Sequence, residues 1–293
     1  AIAVAALSVE PDAILIVLPA DHSVSDKLLF QAHVKSAVDL AIAGKLVTFG
    51  IVPSKPETGY GYIRAGEQVA GLAHVVEQFV EKPDVDTAKA YLAEGCFSWN
   101  SGMFVFSASG YLEELNNHHP SLLGQSKAAF EGISQDLDFM RLDMEHFSKC
   151  ESISIDYAVM EKAKNVYVLP ATFDWNDLGT WGQLHEKLDK DENNNGVINA
   201  KVVMENASNN IVRSDANKII VIDGLHDYII VDTPPFGLLN DAIELIKFVD
   251  AFMVVMNTKF IRNKGVSTIE DLLGKYDDIS VGLVLNGIKK TRF

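Results

Sequence analysis

Asp21 closes the apolar run from Ala13 to Pro19, and Asp177 follows Trp175 and Asn176. A carboxylate just past the end of a buried strand is placed to hold a hard cation. Two of them from distant parts of the chain could converge on one Mg²⁺, an ion that keeps several waters and takes one or two carboxylates together with phosphate oxygens. Plainer readings stand beside this one: Asp21 as the cap of the following helix, and Asp177 as a turn residue. Gly59 and Gly61 flank Tyr60 in a turn where missing side chains would let a sugar or phosphate approach the backbone. Glu81 and Lys82 end a strand and offer an acceptor for sugar hydroxyls and a cation for phosphate, or else a surface ion pair. Asn100, between Trp99 and Ser101-Gly102, carries both a donor and an acceptor suited to a polyol, or is a turn residue beside a packed Trp. The eight histidines lack metal-ligand spacing, and no serine nucleophile elbow or Cys–His arrangement occurs.

These residues need a frame to hold them. Ala13–Pro19 reads as a strand buried on both faces, Lys27–Ala43 as a helix closed by Gly44, and Leu46–Val52 as a second strand. Strand, helix, strand with short joints is a βαβ unit with a parallel sheet, so the fold class is α/β. Further along, His74–Val80 reads as a strand and Asp84 as the cap of a helix to Glu94, stopped by Gly95. Phe97–Phe106 reads as a loop feeding a strand, Tyr111–Lys149 as several helices, Ser154–Lys164 as a helix, and Val166–Leu169 as a strand. After a polar linker at Lys190–Asn195, short β-rich runs alternate with Asn, Ser, Asp and Gly turns as far as Ile230. Their spacing suits β-solenoid coils or hairpins. Beyond Thr233, helices at Asn240–Phe248 and Ser267–Lys275 and strands at Ala251–Met256 and Ile279–Leu285 are expected.

Composition narrows the function classes. The 293 residues carry a formal net charge of −15, with 48% hydrophobic and 22% charged residues. The chain can bury a sizeable core, and its acidity argues against a nucleic-acid backbone or an anionic membrane as partner. Its longest apolar runs fall short of the ~20 residues that span a bilayer. Cys96 and Cys150 stand far apart, which suits free thiols in a reducing cytoplasm.

Six motifs now stand in order: LPADH (18–22), FGIVPSKPETGYGYI (49–63), FVEKP (79–83), WNSGMFVF (99–106), SIDYAVMEK (154–162) and WNDLGTW (175–181). Together they resemble the bacterial mannose-1-phosphate guanylyltransferases, over residues 1 to about 232. The resemblance implies a nucleotide-diphosphosugar transferase fold, with a Rossmann-like sheet, that makes GDP-mannose and pyrophosphate from GTP and mannose 1-phosphate. It implies that Asp21 and Asp177 hold Mg²⁺, that Lys82 acts with them in catalysis, and that Gly59, Tyr60, Glu81, Lys82 and Asn100 line the sugar side. Asp156 would brace the site from behind. It also implies a cytoplasmic enzyme of polysaccharide biosynthesis and allows a homo-oligomer.

The same family opens with a glycine-rich phosphate loop that does not occur in this sequence, so the chain as given is expected to be inactive or weakly active. From about Asp227, the stretch DYIIVDTPPFGLLND and the later VGLVLNGIKK resemble the C-terminal part of a bacterial exopolysaccharide tyrosine kinase. By that resemblance Asp232 is a Walker B acid in a partial P-loop-kinase-like α/β tail, with a junction inside 227–233. The expected divisions are a transferase core over 1–189, a β-rich extension over 190–232 and the kinase-like segment over 233–293. The alternative function is a non-catalytic sugar-nucleotide-binding or interaction module with a kinase-like docking tail.

Overall fold

A computed structural model describes residues 1–137, 139–214, 219–233, 248–257 and 279–286. The chain forms two compact units, Ala1–Gly179 and Thr180–Phe293.

The first unit opens with α1 (Ile2–Leu7), β1 (Ile14–Val17) and the two-residue β2 (Ser23–Val24). α2 (Lys27–Ile42) follows, capped by Asp26, whose carboxylate accepts from the Leu29 amide. Asp26 therefore takes the capping role that sequence left open for Asp21. After α2 come β3 (Leu46–Ile51), β4 (Tyr62–Ala70), β5 (Ala73–Val80) and α3 (Val85–Glu94). Asp84 caps α3 by accepting from the Asp86 and Thr87 amides, and left-handed Gly95 ends it. The unit continues with β6 (Phe97–Ser107), α4 (Ala108–His118), α5 (Pro120–Glu131), a hairpin of β7 (Ser134–Asp136) and β8 (Phe139–Arg141), and α6 (Met144–Ser148). A π-helical turn at Asp156–Met160, β9 (Val166–Ala171) and β10 (Trp175–Asn176) complete it.

The main sheet runs β1-β6-β3-β9-β5-β4. β1 and β3 do run in the same direction, as the βαβ pattern requires, but antiparallel β6 lies between them. The sheet is thus mixed, and only β3 and β9 pair in parallel. β1 stands at its edge with Ile16 45% exposed, so the strand expected to be buried on both faces is half-buried. Alternation along the strands sends Val47, Phe49 and Val105 to the α2 face, while Leu46, Phe104 and Phe106 meet the α1, α4 and α5 face.

Two local corrections matter for the site. Phe97–Ser107 is one strand rather than a loop with a strand, and against β3 its register jumps between Thr48 opposite Phe104 and Gly50 opposite Asn100. This bulge contains Gly102 at φ +71, a conformation that favours glycine, and bulges re-aim the side chains beside them. The helix expected over Ser154–Lys164 is shorter and wider: a π turn that carries Asp156.

The second unit begins with α7 (Trp181–Lys187). It then stacks β11 (Gly196–Ile198), β13 (Ile211–Ser214) and β15 (Ile229–Asp232) in one parallel ladder, and β12 (Lys201–Glu205) with β14 (Ile219–Asp223) in another. Parallel pairing at these short separations decides for coils over hairpins, because a hairpin pairs antiparallel. The turns stack as well, with Asn194 donating to Asn209 at 2.7 Å and Asn209 donating to Asp227. Asn194, Asn209 and Asp227 all take positive φ, which Asn and Asp tolerate better than other side chains. β16 (Ala251–Asn257) and β17 (Ser280–Asn286) form a parallel pair close to the strands expected there. The helices expected at 240–248 and 267–275 lie outside the described residues, apart from a short 3₁₀ position at Phe248.

Candidate active site

Gly61, Glu81 and Asn100 meet where β4, β5 and β6 come together. The Asn100 amide donates to the Gly61 carbonyl at 2.7 Å. A Cβ at Gly61 would overlap Glu81 Oε2 and stand 3.3 Å from Asn100 Cβ, so only glycine fits beneath this carboxylate without displacing it. Gly59, which the sequence reading put on the sugar side, is exposed, and its amide donates to Glu57 Oε1.

Glu81 is the most perturbed carboxyl of the site. Its side chain is 11% exposed, and its Oε2 is buried with no hydrogen-bond partner among the described residues. Burial pushes its pKa up to about 7, the neighbouring Asp156 and Glu161 carboxylates add to the rise, and Lys82 opposes it. Glu161 also fixes the strand end by accepting from the Glu81 amide at 3.0 Å. Lys82 reaches Glu81 Oε1 at only 3.9 Å while staying largely exposed, so its ammonium remains open to a further anion. Lys82 itself sits at φ +48, in the left-handed region.

Asp156 stands behind Asn100 and accepts from its Nδ2 at 2.9 Å. Burial raises the Asp156 pKa, whereas hydrogen bonds from Ser154 and Asn100 and the charge of Lys82 lower it. Thr48, fully buried on β3, donates to Asn100 Oδ1 at 3.1 Å or to the Met103 carbonyl at 3.0 Å.

The other end of the site is built on the β2–β10 ladder. Trp175 pairs with Val24 and Asn176 with Ser23, so the same antiparallel register carries Asp177 to the level of His22, one residue from Asp21. Asp177 follows this ladder by one residue and Asp21 precedes it by two. Trp175 Nε1 donates to His22 Nδ1 at 3.2 Å, which leaves the ring proton on Nε2, 4.0 Å from Asp21 Oδ1. Asn176 Oδ1 accepts from the Leu178 amide at 2.7 Å in the turn that follows. Asp21 is exposed. Among the described residues no cluster of three or more His, Cys, Asp or Glu side chains is arranged as a metal cage. The donor set at Asp21 and Asp177 suits an ion that keeps most of its own water.

Aromatic edges join the two ends. His22 and Trp175, Trp175 and Tyr60, and Tyr60 and Trp99 make T-shaped contacts at centroid distances of 5.3, 5.6 and 5.1 Å. Tyr60, expected on the sugar side, is thus the hinge of a continuous wall. Sequence reasoning missed Thr48, Glu161 and His22. The histidine alone had a usable signal, its place directly after Asp21. The structure puts Asp232 on β15, opposite Ser214 of β13, where its carboxylate accepts from Ser214 Oγ at 2.7 Å. It therefore belongs to the parallel coils.

The family model for nucleotidyl transferases matches residues 1–194. The chain belongs to the nucleotidyl transferase family. This transferase chain is 43% identical over 250 residues to mannose-1-phosphate guanylyltransferase of Escherichia coli K12, an alignment covering 82% of the chain and 52% of that protein. It is 40% identical over 292 residues to mannose-1-phosphate guanylyltransferase of Salmonella montevideo, covering 96% and 61%. A solved structure of mannose-1-phosphate geranyltransferase from Thermus thermophilus superposes with a TM-score of 0.67 at 31% identity, covering 79% of the transferase chain and 66% of that one. The chain spans about half the length of the Escherichia coli relative. The Salmonella montevideo alignment takes in most of the segment beyond residue 233, and the kinase resemblance of that segment is not supported. Among the described residues no helix is long and apolar enough to cross a membrane.

Proposed function

We propose that the full-length protein transfers a guanylyl group from GTP to mannose 1-phosphate, giving GDP-mannose and pyrophosphate. The observation that carries this reading is Glu81 Oε2, a buried and unpartnered carboxylate oxygen held over Gly61 beside Asn100. A sugar hydroxyl is the kind of donor that would satisfy it. The names of the relatives and the six motifs point the same way.

In this reaction a phosphate oxygen of the sugar phosphate attacks the α-phosphorus of GTP in line. The new P–O bond forms as the bond to the β-phosphate oxygen breaks, and its electron pair leaves with pyrophosphate. No protein nucleophile is required, so the residues act by position and charge. Glu81 and Asn100 orient the sugar, and the exposed Lys82 ammonium draws its phosphate. Asp21 and Asp177 would hold a Mg²⁺, whose charge offsets that gathering on the phosphates. The division into a core over 1–189, an extension over 190–232 and a terminal segment over 233–293 belongs to the same proposal, as do a cytoplasmic location and a homo-oligomeric state.

The test is direct. The full-length protein is incubated with GTP or another nucleoside triphosphate and with mannose 1-phosphate or glucose 1-phosphate, and nucleotide sugar is separated by ion exchange. GDP-mannose is the expected main product, and Glu81→Gln should lower kcat/KM by about 100-fold. Tight binding of GDP-mannose without turnover by the full-length protein would replace the reading with that of a sugar-nucleotide-binding module.

A further inference from the structure

A carboxamide carries an acceptor oxygen with two lone pairs and a nitrogen with two donors, and which way it faces is set by its partners. At Asn100 those partners are one-sided. Oδ1 lies 3.2 Å from the Gly102 amide nitrogen, which can only donate. Nδ2 lies 2.9 Å from the Asp156 carboxylate, which accepts. A flipped amide would set N–H against N–H and oxygen against oxygen. Thr48 adds its hydroxyl to the oxygen end at 3.1 Å, from a position on β3 that is wholly buried. That hydroxyl also lies 3.0 Å from the Met103 carbonyl, so its one proton serves either acceptor. Gly102 and Asp156 fix the facing of the amide, with one oxygen lone pair and one Nδ2 hydrogen committed. Thr48 covers the oxygen end, and a single N–H remains.

We infer that Thr48 and Asp156 are positioning residues that make Asn100 a donor-only contact, so that at this point the site recognises an oxygen acceptor on the sugar phosphate. The inference rests on the guanylyltransferase reading above. It deepens that reading by giving the two sides of the sugar opposite polarities: Asn100 donates, and Glu81 across Gly61 accepts.

Analogues in which fluorine or hydrogen replaces each hydroxyl of mannose 1-phosphate in turn separate these polarities, because fluorine accepts weakly and hydrogen does neither. In the full-length protein, the fluoro analogue should keep about a tenfold advantage in kcat/KM over the deoxy analogue at one ring position. Thr48→Val should cut that advantage to about twofold or less and raise KM for mannose 1-phosphate about tenfold, with kcat and KM for GTP changed by less than about twofold. Thr48→Ser, which keeps the hydroxyl, should restore both. If Thr48→Val does not fold, Asp156→Asn supplies the same readout, since it removes the partner that only accepts.

A wild-type enzyme that treats fluoro and deoxy analogues alike at every position overturns the inference. So does a Thr48→Val enzyme with undiminished discrimination, or a Thr48→Ser enzyme no better than Thr48→Val. A wild type that makes no GDP-mannose overturns the guanylyltransferase reading instead. Calorimetry with mannose 1-phosphate and its analogues then reads the same discrimination as a ratio of Kd values.

Discussion

Gly61→Ala separates the shape of the sugar side from the stability of the fold. Its Cβ would overlap Glu81 Oε2 and lie 3.3 Å from Asn100 Cβ, where ordinary contact begins at 3.4 Å. Asn100 hardly has to move, whereas the Glu81 carboxylate must withdraw by about 1 Å, as close-packed interiors do not absorb such an overlap. The backbone at Gly61 is not among those with positive φ, so an L side chain is tolerated there without strain. The obstacle is also the far end of a flexible side chain, and the fold should survive its displacement. A misplacement of about 1 Å costs on the order of 100-fold in rate, which is about 2.7 kcal/mol of transition-state stabilisation. We therefore expect GDP-mannose formation by full-length Gly61→Ala to fall about 100-fold in kcat/KM while Tm shifts by no more than about 4 °C. Activity within threefold of wild type would refute the geometric argument, and so would a Tm loss of more than about 10 °C, which would make Gly61 a folding requirement.

Two further outcomes follow from the same packing. Glu81 has its pKa raised from 4.5 to about 7, so the folded protein holds that proton more tightly than the unfolded chain does. The contribution to stability is fully present below about pH 4.5 and is lost as pH rises through about 7. Glu81→Gln should accordingly raise Tm relative to wild type at pH 8 and not at pH 5, while flattening a rise of kcat/KM through pH 7; parallel Tm curves for the two proteins would count against this account. In the second unit, Asn195 is 1% exposed, donates to the Ala207 carbonyl and accepts from the Asn210 amide. Asn195→Ala should cost that unit about 2–3 kcal/mol by leaving buried backbone groups unpaired, read as faster hydrogen exchange over Ile211–Ser214, and a change below about 0.5 kcal/mol would contradict it.

The parts of the fold legible in the sequence are those written in local patterns. Asp84 before a short helix, Gly95 after it, and the apolar alternation of β3 need only neighbours to be understood. β4 is hidden because Arg64, Gly66, Glu67 and Gln68 break up its apolar pattern, and its pairing with β5 supplies what its side chains do not. β6 reads as a loop at Asn100 because a bulge is defined by the partner strand, which the sequence does not show. The insertion of β6 between β1 and β3 is invisible for the same reason. At the site, Asp21, Glu81 and Asn100 stand out by residue type and position. Thr48 does not, since a threonine inside a strand is ordinary until its hydroxyl is found beside an amide 52 residues away.

The stacked turns of the second unit set a rule for how this part of the chain can change length. Asn194 and Asn209 stand 15 residues apart in sequence, and Asn209 and Asp227 stand 18 apart, yet each side chain bonds directly to the next. Each turn is the template on which its successor is seated. Deleting one residue from a strand would turn the rest of that strand to the opposite face and pull on the polar stack at its end. A whole coil, by contrast, could be duplicated or removed with its contacts reproduced, because each coil touches only the ones above and below. Length variation within the stacked strands should therefore come in coil-sized steps, as bricks in a wall are added by the course, whereas the three-residue difference between the two spacings shows that the links between strands absorb smaller changes.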